Sequence, residues 1–171
     1  MKNHFFELAG YVQSLAGAGE VVVSHFAAEE SDFIRFNRSA VRQATSVRQA
    51  RWTLTLIRDG RRVDAAATLS GGPAADRDQL KAMLGQLRDA VADAPADPYL
   101  LYAESPINTA RESAGAVPDA AVVIDAALEA GRGLDLVGHY AGGPIHEGFA
   151  NSLGQRNWQR VDNFNFEWCL Y

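Results

Sequence analysis

Residues 50–69 read ARWTLTLIRDGRRVDAAATL. Trp52, Leu54 and Leu56 fall at every second position, Asp59-Gly60 follows, and Val63, Ala65, Ala67 and Leu69 resume the alternation. Period-two apolar spacing on both sides of an Asp-Gly pair predicts a β-hairpin, here 50–58 and 61–69. Upstream, the Val21-Val22-Val23 run opens a strand at Glu20–Phe26, and Asp32–Asn37 alternates around Ile34 and Phe36. Ala40–Ala50 is polar but rich in Val, Thr and Gln. The whole of 20–69 therefore reads as an antiparallel meander of four or five strands, greasy on one face and wet on the other.

Helical spacing brackets this meander. Phe5, Leu8, Val12 and Leu15 form an apolar stripe over 3–17, with Asn3 as N-cap and Gly17 as stop. Leu80, Met83, Leu84, Leu87 and Val91 form another over 74–93, entered at Pro73. A proline-punctuated connector, 94–117, holds a short candidate strand at Tyr99–Tyr102, and a third helix spans 118–130 up to Gly131. Strands are expected at 134–141, 148–151 and 159–171, with Ser152–Gln155 as the turn between the last two. Strands in a run with helices set apart predict an α+β fold, an antiparallel sheet with about three helices packed on one side.

The chain has 171 residues, a net charge of −5 and one cysteine, Cys169. That is enough for one proper core and too little sulfur for a disulfide or a Cys-rich zinc site. No run approaches the roughly 20 apolar residues of a membrane span, so a cytoplasmic protein is expected. The aromatic strand Phe164–Tyr171 runs to the last residue, which reads as the edge of a longer chain.

Motifs for chemistry are sparse. His146-Glu147 opens like a zinc-helix motif, but Ala150 and Asn151 stand where a second histidine would be needed. His4, His25 and His139 lie in separate elements. There is no G-x-S-x-G elbow and no phosphate loop, and Gly131-x-Gly133 reads as a helix stop. The arginines are the unusual feature: Arg35, Arg38, Arg42, Arg48, Arg51, Arg58, Arg61 and Arg62 share their stretch with Asp59 alone, so it carries +7 and the remainder −12. They fall on both strand parities without interleaved aromatics. A wet strand face, a peptide or partner contact, and a nucleic-acid contact all stay open.

Several ordered segments resemble the TldD/PmbA family: GHYAGGP at 138–144, GFANSLGQRNW at 148–158, FNFEWCLY at 164–171, and SDFIRFN at 31–37 with VRQ at 41–43. The resemblance covers the chain from about residue 20 to its end. It implies a cytoplasmic, zinc-metallopeptidase-related protein of bacteria or archaea that acts on peptides or partly unfolded substrates as a homo- or heterodimer with a paralogue. Some members were first described as modulators of DNA gyrase. The family's H-E-x-x-x-H zinc motif and its cysteine ligand follow the matched text, and paralogous partners lack them.

Residues 1–171 are thus expected to be an N-terminal domain without the metal-bearing half, holding no cofactor themselves. Zinc belongs, if anywhere, to the longer parent, and no catalytic or metal residue carries over. The expected role is scaffold, dimer surface and wall of a peptide channel, with an extended peptide added to a sheet edge. Arg42, Gln43, Asn151, Asn163 and Asn165 are the candidate peptide or partner contacts. The alternative is a nucleic-acid or gyrase-binding module using strands 35–62, although nucleic acid is not the expected partner. A third reading, a subdomain that only completes a larger fold, predicts exposed apolar surface around Phe164, Phe166 and Trp168.

Overall fold

The structure, a computed structural model, describes all 171 residues. In chain order the elements are α1 (Lys2–Ser14), β1 (Val21–Asn37), β2 (Ala40–Arg58), β3 (Arg61–Thr68), α2 (Pro73–Asp93), β4 (Thr109–Ser113), α3 (Ala120–Ala130), β5 (Leu136–Asn151) and β6 (Arg156–Leu170). Three helices accompany a six-stranded sheet of order β3-β2-β1-β5-β6-β4. This is the expected α+β class. The sheet is mostly antiparallel; β4 follows β6 in the same direction, since Ile107 bonds Gln155 while Gly115 lies against Asp162.

The expected meander is three strands rather than four or five. The polar stretches Glu29–Asp32 and Gln43–Gln49 contain neither Gly nor Pro, so nothing interrupts β1 or β2 there. The segments 134–141 and 148–151 likewise join into one strand, β5. Tyr99–Tyr102 forms no strand, and Tyr99 and Leu101 are exposed. The connector's strand is β4, five residues exposed throughout, with no burial alternation to reveal it.

The chain divides into two compact units. The first comprises Met1–Ala28, Ala50–Arg111 and His146–Gln159; the second comprises Glu29–Gln49, Glu112–Ile145 and Arg160–Tyr171.

In the first unit, the α1 stripe Phe5, Leu8, Val12 and the α2 stripe Leu80, Leu84, Leu87 cover Val22, Phe26, Trp52, Leu54, Leu56 and Trp158. Phe5 is the hub, with ring centroids 5.4 Å from Phe26, 5.2 Å from Trp52 and 6.0 Å from Trp158. The predicted hairpin closes in register from Arg51↔Thr68 to Arg58↔Arg61, and Asp59 and Gly60 both take positive φ. Two buried carboxylates fasten the helices. Glu20 accepts from the Arg88 Nη2 (2.7 Å) and from the Gly17 N–H (2.8 Å), with Arg58 at 3.6 Å. Asp76 accepts from the Ser70 N–H and hydroxyl (both 2.8 Å), the Gly71 N–H (3.1 Å) and His4 (3.1 Å).

The second unit has a smaller core, Ile34, Phe36, Ala127, Leu136 and Tyr140, with Val123, Ile124 and Phe166 packed against it. α3 begins where Asp119 accepts the Ala121 N–H (2.8 Å) and ends at Gly131, as expected. Here β1 and β5 approach closely. A methyl group on Gly143 would fall inside contact distance of the Glu30 carbonyl oxygen, so only glycine fits in the GHYAGGP segment at that point.

Candidate functional site

Strand β2 has 19 residues and β3 has eight. Their pairing stops at Arg51↔Thr68, one step short of the Leu69 N–H that donates to the Ala50 carbonyl (2.8 Å). No strand lies outside residues 40–49, and nine of those ten are exposed, Val47 being half-buried. In an antiparallel ladder, backbone groups turn toward one neighbour at every second residue. Ala50 turns its carbonyl toward β3, so Arg48 turns its N–H and C=O groups to the open side. At the other end the two-residue turn at Arg38–Ser39 makes Asn37 and Ala40 its closing pair, so Ala40 and Arg42 face β1, Val41 faces outward, and the alternation shifts by one residue in between. The second unit therefore presents a row of unpaired backbone donors and acceptors, the template a further strand needs.

The side chains along this edge change character from one end to the other. Near Ala50, Gln49 bonds Glu29, Arg48 approaches Glu30 (3.9 Å) and Ser46 bonds Asp32 (2.6 Å). At the turn end, Arg35, Arg38 and Arg42 are exposed and form no ion pair. The turn itself is rigidly held. Arg38 and Ser39 both sit at φ 52°, and the Ser39 hydroxyl lies between the Gly131 (3.0 Å) and Leu134 (2.6 Å) carbonyls while accepting the Leu136 N–H (2.9 Å).

The structure does not gather the five candidate contacts into one site. Arg42 and Gln43 are exposed on β2. Gln43 borders a shallow 330 Å³ depression with Arg35, Phe33 and His139; the Phe33 and His139 rings stack at 6.1 Å, and His139 lies 3.6 Å from Glu167. Asn163 and Asn165 are exposed on β6, separated from β2 by β1 and β5, about 14 Å at ordinary strand spacing. Asn151 belongs to the first unit and is buried. Its Oδ1 accepts the Leu153 and Gln155 N–H groups (both 3.0 Å) and its Nδ2 donates to Ala103 (3.2 Å), so the amide holds the β5–β6 turn. Sequence spacing could not separate this turn asparagine from its neighbours.

Two hollows of the second unit went unread in the sequence. One, of 640 Å³, is polar, bounded by Glu30, Asp32, Arg48, Asp119, Arg160 and Asp162; Arg160 and Asp162 pair at 2.8 Å. The buried Tyr140 hydroxyl donates to the Pro118 carbonyl (3.2 Å). Burial, reinforced by Asp32 and Asp119, holds this phenol above its usual range. The other, of 440 Å³, is an apolar groove between α3 and β6 lined by Val122, Ala126, Leu136, Phe166, Trp168 and Leu170. Phe164 and Trp168 are more than half exposed. This is the apolar surface that the third reading expects.

Residues of the suspect metal motif do not fit zinc. His146 and Glu147 are consecutive on strand β5, so they point to opposite faces: His146 is buried against Trp158 (5.7 Å), and Glu147 meets His25 (3.3 Å). No group of three or more His, Cys, Asp or Glu side chains is placed to hold a metal ion. The arginine-rich stretch is divided as well. Arg35, Arg38, Arg42 and Arg48 lie in the second unit and the other four in the first, where Arg58 pairs with Glu20 and Arg61 bonds the Ala92 carbonyl. No helix is long and apolar enough to cross a membrane.

No protein-family model matches the chain, and no curated protein matches its sequence. Solved structures do share its fold. A candidate modulator of a DNA gyrase from Thermotoga maritima superposes with a TM-score of 0.63 at 13% identity, over 95% of this chain and 38% of that one. TldE from Thermococcus kodakarensis gives 0.60 at 10% identity, over 96% and 42%. A candidate modulator of DNA gyrase from Bacteroides thetaiotaomicron gives 0.55 at 13% identity, over 98% and 44%. At these identities the likeness is one of fold. The chain spans about two fifths of the length of the structures it matches. The fold of this chain is thus the one seen in TldE and in these two candidate gyrase modulators.

Proposed function

We propose that this chain serves as the N-terminal scaffold, dimerisation and peptide-channel domain of a TldD/PmbA-like metallopeptidase. Proteolysis of peptide or unfolded substrates then belongs to the longer protein. In this reading an extended peptide adds to the sheet at residues 40–49 of β2, its backbone pairing with the outward groups of that stretch, those of Val41 at the turn end and Arg48 at the other. The observation that carries the reading is the unpaired stretch of β2, left open because β3 ends at Arg51's partner. The fold shared with TldE supports the family side of it. The exposed Phe164, Trp168 and Leu170 support the dimerisation side, since apolar strips of this kind mark contact surfaces.

The decisive substitution is Arg48→Pro. It removes one outward N–H from an exposed position and leaves the bonds to β1 in place. Binding of a labelled, neutral, Thr/Val-rich peptide of about eight residues is expected to weaken roughly tenfold, about 1.4 kcal/mol. The same peptide N-methylated at alternate residues is expected to bind the unmodified chain equally poorly. Undiminished binding in both cases rules out strand addition at this edge. The chain is also expected to leave peptides uncut in the presence of added zinc; specific turnover would contradict the assignment of chemistry to the longer protein.

A further inference from the structure

We infer that the β2 edge selects an acidic extended segment, one whose Asp or Glu residues lie at the end that meets Arg35, Arg38 and Arg42. The inference rests on the strand-addition reading above and adds the chemistry of the occupant. From Phe33 to Val47 the chain holds three arginines and no acid. All three arginines are exposed and none forms an ion pair. Arg38 is held at the strand end by the pinned Arg38–Ser39 turn, and Arg42 stands exposed on the edge strand itself.

The other end of the same edge is acidic, and its carboxylates are hydrogen-bonded or paired within their own unit. Glu29, Glu30 and Asp32 of β1 are met by Gln49, Arg48 and Ser46 of β2. The edge is thus positive near the turn and acidic toward Ala50, where Arg48 is the one cation against three carboxylates. An added strand sets its side chains directly opposite those of β2, where opposite charges attract and like charges repel. A carboxylate across from Arg42 meets a guanidinium fork with no competing partner. A basic residue there meets only repulsion, so the same three arginines that guard the free edge against indiscriminate pairing would admit an acidic strand.

The test uses the 171-residue chain and three labelled peptides of equal length and Thr/Val content, differing only in three residues at one end: Glu, Gln or Lys. At about 20 mM salt the Glu peptide is expected to bind roughly tenfold tighter than the Gln peptide, and the Lys peptide more weakly than either. The gap is expected to narrow at about 300 mM, where screening is strong. The double variant Arg38→Gln/Arg42→Gln is expected to bring the Glu peptide down to the Gln peptide's affinity and to leave the Gln peptide unchanged. Equal binding of Glu and Gln peptides overturns the charge inference and leaves strand addition standing. Binding of neither overturns strand addition itself. If an N-methylated Glu peptide binds as well as the unmodified one and a DNA oligonucleotide displaces it, the arginines form a general polyanion surface and the inference fails.

Discussion

The two units use the same strands differently. In the first, the sheet is covered by α1 and α2, and the rings of Phe5, Phe26, Trp52 and Trp158 meet in a core from which water is almost absent. In the second, one short helix covers a core of five buried residues, while Phe164, Trp168 and Leu170 stay exposed and β2 ends without a neighbour. Burying a large side chain contributes about 1.5–3 kcal/mol, so stability is concentrated in the first unit. The open stretch of β2, the cluster Arg35, Arg38 and Arg42 and the apolar strip Phe164, Trp168 and Leu170 all lie in the second. The contrast separates what holds the chain together from what it offers to a partner.

The contrast breaks first at Trp52. Trp52→Ala is expected to cost about 3–5 kcal/mol, read as a lower denaturant midpoint; a loss under 1 kcal/mol would mean that the first unit is not the stable one. Next comes Gly143→Ala in the second unit, expected to cost about 2–3 kcal/mol because the new methyl group meets the Glu30 backbone. Amide exchange should rise around residues 29–32 and 142–145 and stay unchanged around Trp52.

Glu20 offers a sharper variant. Glu20→Gln is expected to cost about 2 kcal/mol, less than a fully buried pair because Arg88 is partly exposed. Arg88, and to a smaller extent Gly17 and Arg58, hold the Glu20 carboxyl below its ordinary value against the opposing effect of burial. For Asp76 burial pushes upward, but the hydrogen bonds from Ser70, His4 and Gly71 outweigh it and the carboxyl is also held low. A group depressed in the folded state contributes its full stability above its ordinary pKa and loses it as pH falls through the depressed value. Stability should therefore decline below about pH 4, and Glu20→Gln should flatten that decline.

The smallest effect is expected at Trp168→Ser, within about 0.5 kcal/mol, together with weaker self-association by sedimentation. A large loss of stability would show that the exposed strip belongs to the core after all.

Much of this was legible beforehand. The hairpin at 51–68 announces itself through Trp52, Leu54, Leu56 and Asp59-Gly60, and helix α3 through Asp119 and Gly131. Strand length was not, because the polar runs at 29–32 and 43–49 look like breaks when the alternation of apolar residues fades, yet contain nothing that ends a strand. The TldD/PmbA resemblance was carried by segments whose glycines, Gly143 among them, sit where backbones nearly touch. The open edge could not be read, since it follows from the mismatch between a 19-residue strand and its eight-residue neighbour. That Asn151 is buried and closes the β5–β6 turn could not be read either, because a turn-closing asparagine and an exposed one look alike in one dimension.

Amide hydrogen exchange along β2 tests the central claim most directly. Residues 51–58, paired on both sides, should be protected without interruption. Across 40–49, about every second amide, Arg48 among them, faces the open side and should exchange fast, and the amides that face β1, Arg42 among them, should exchange slowly. Such an alternation would establish an open edge on the second unit. Uniform protection from residue 40 to residue 58 would mean that the edge is already covered, and strand addition there would have to be abandoned.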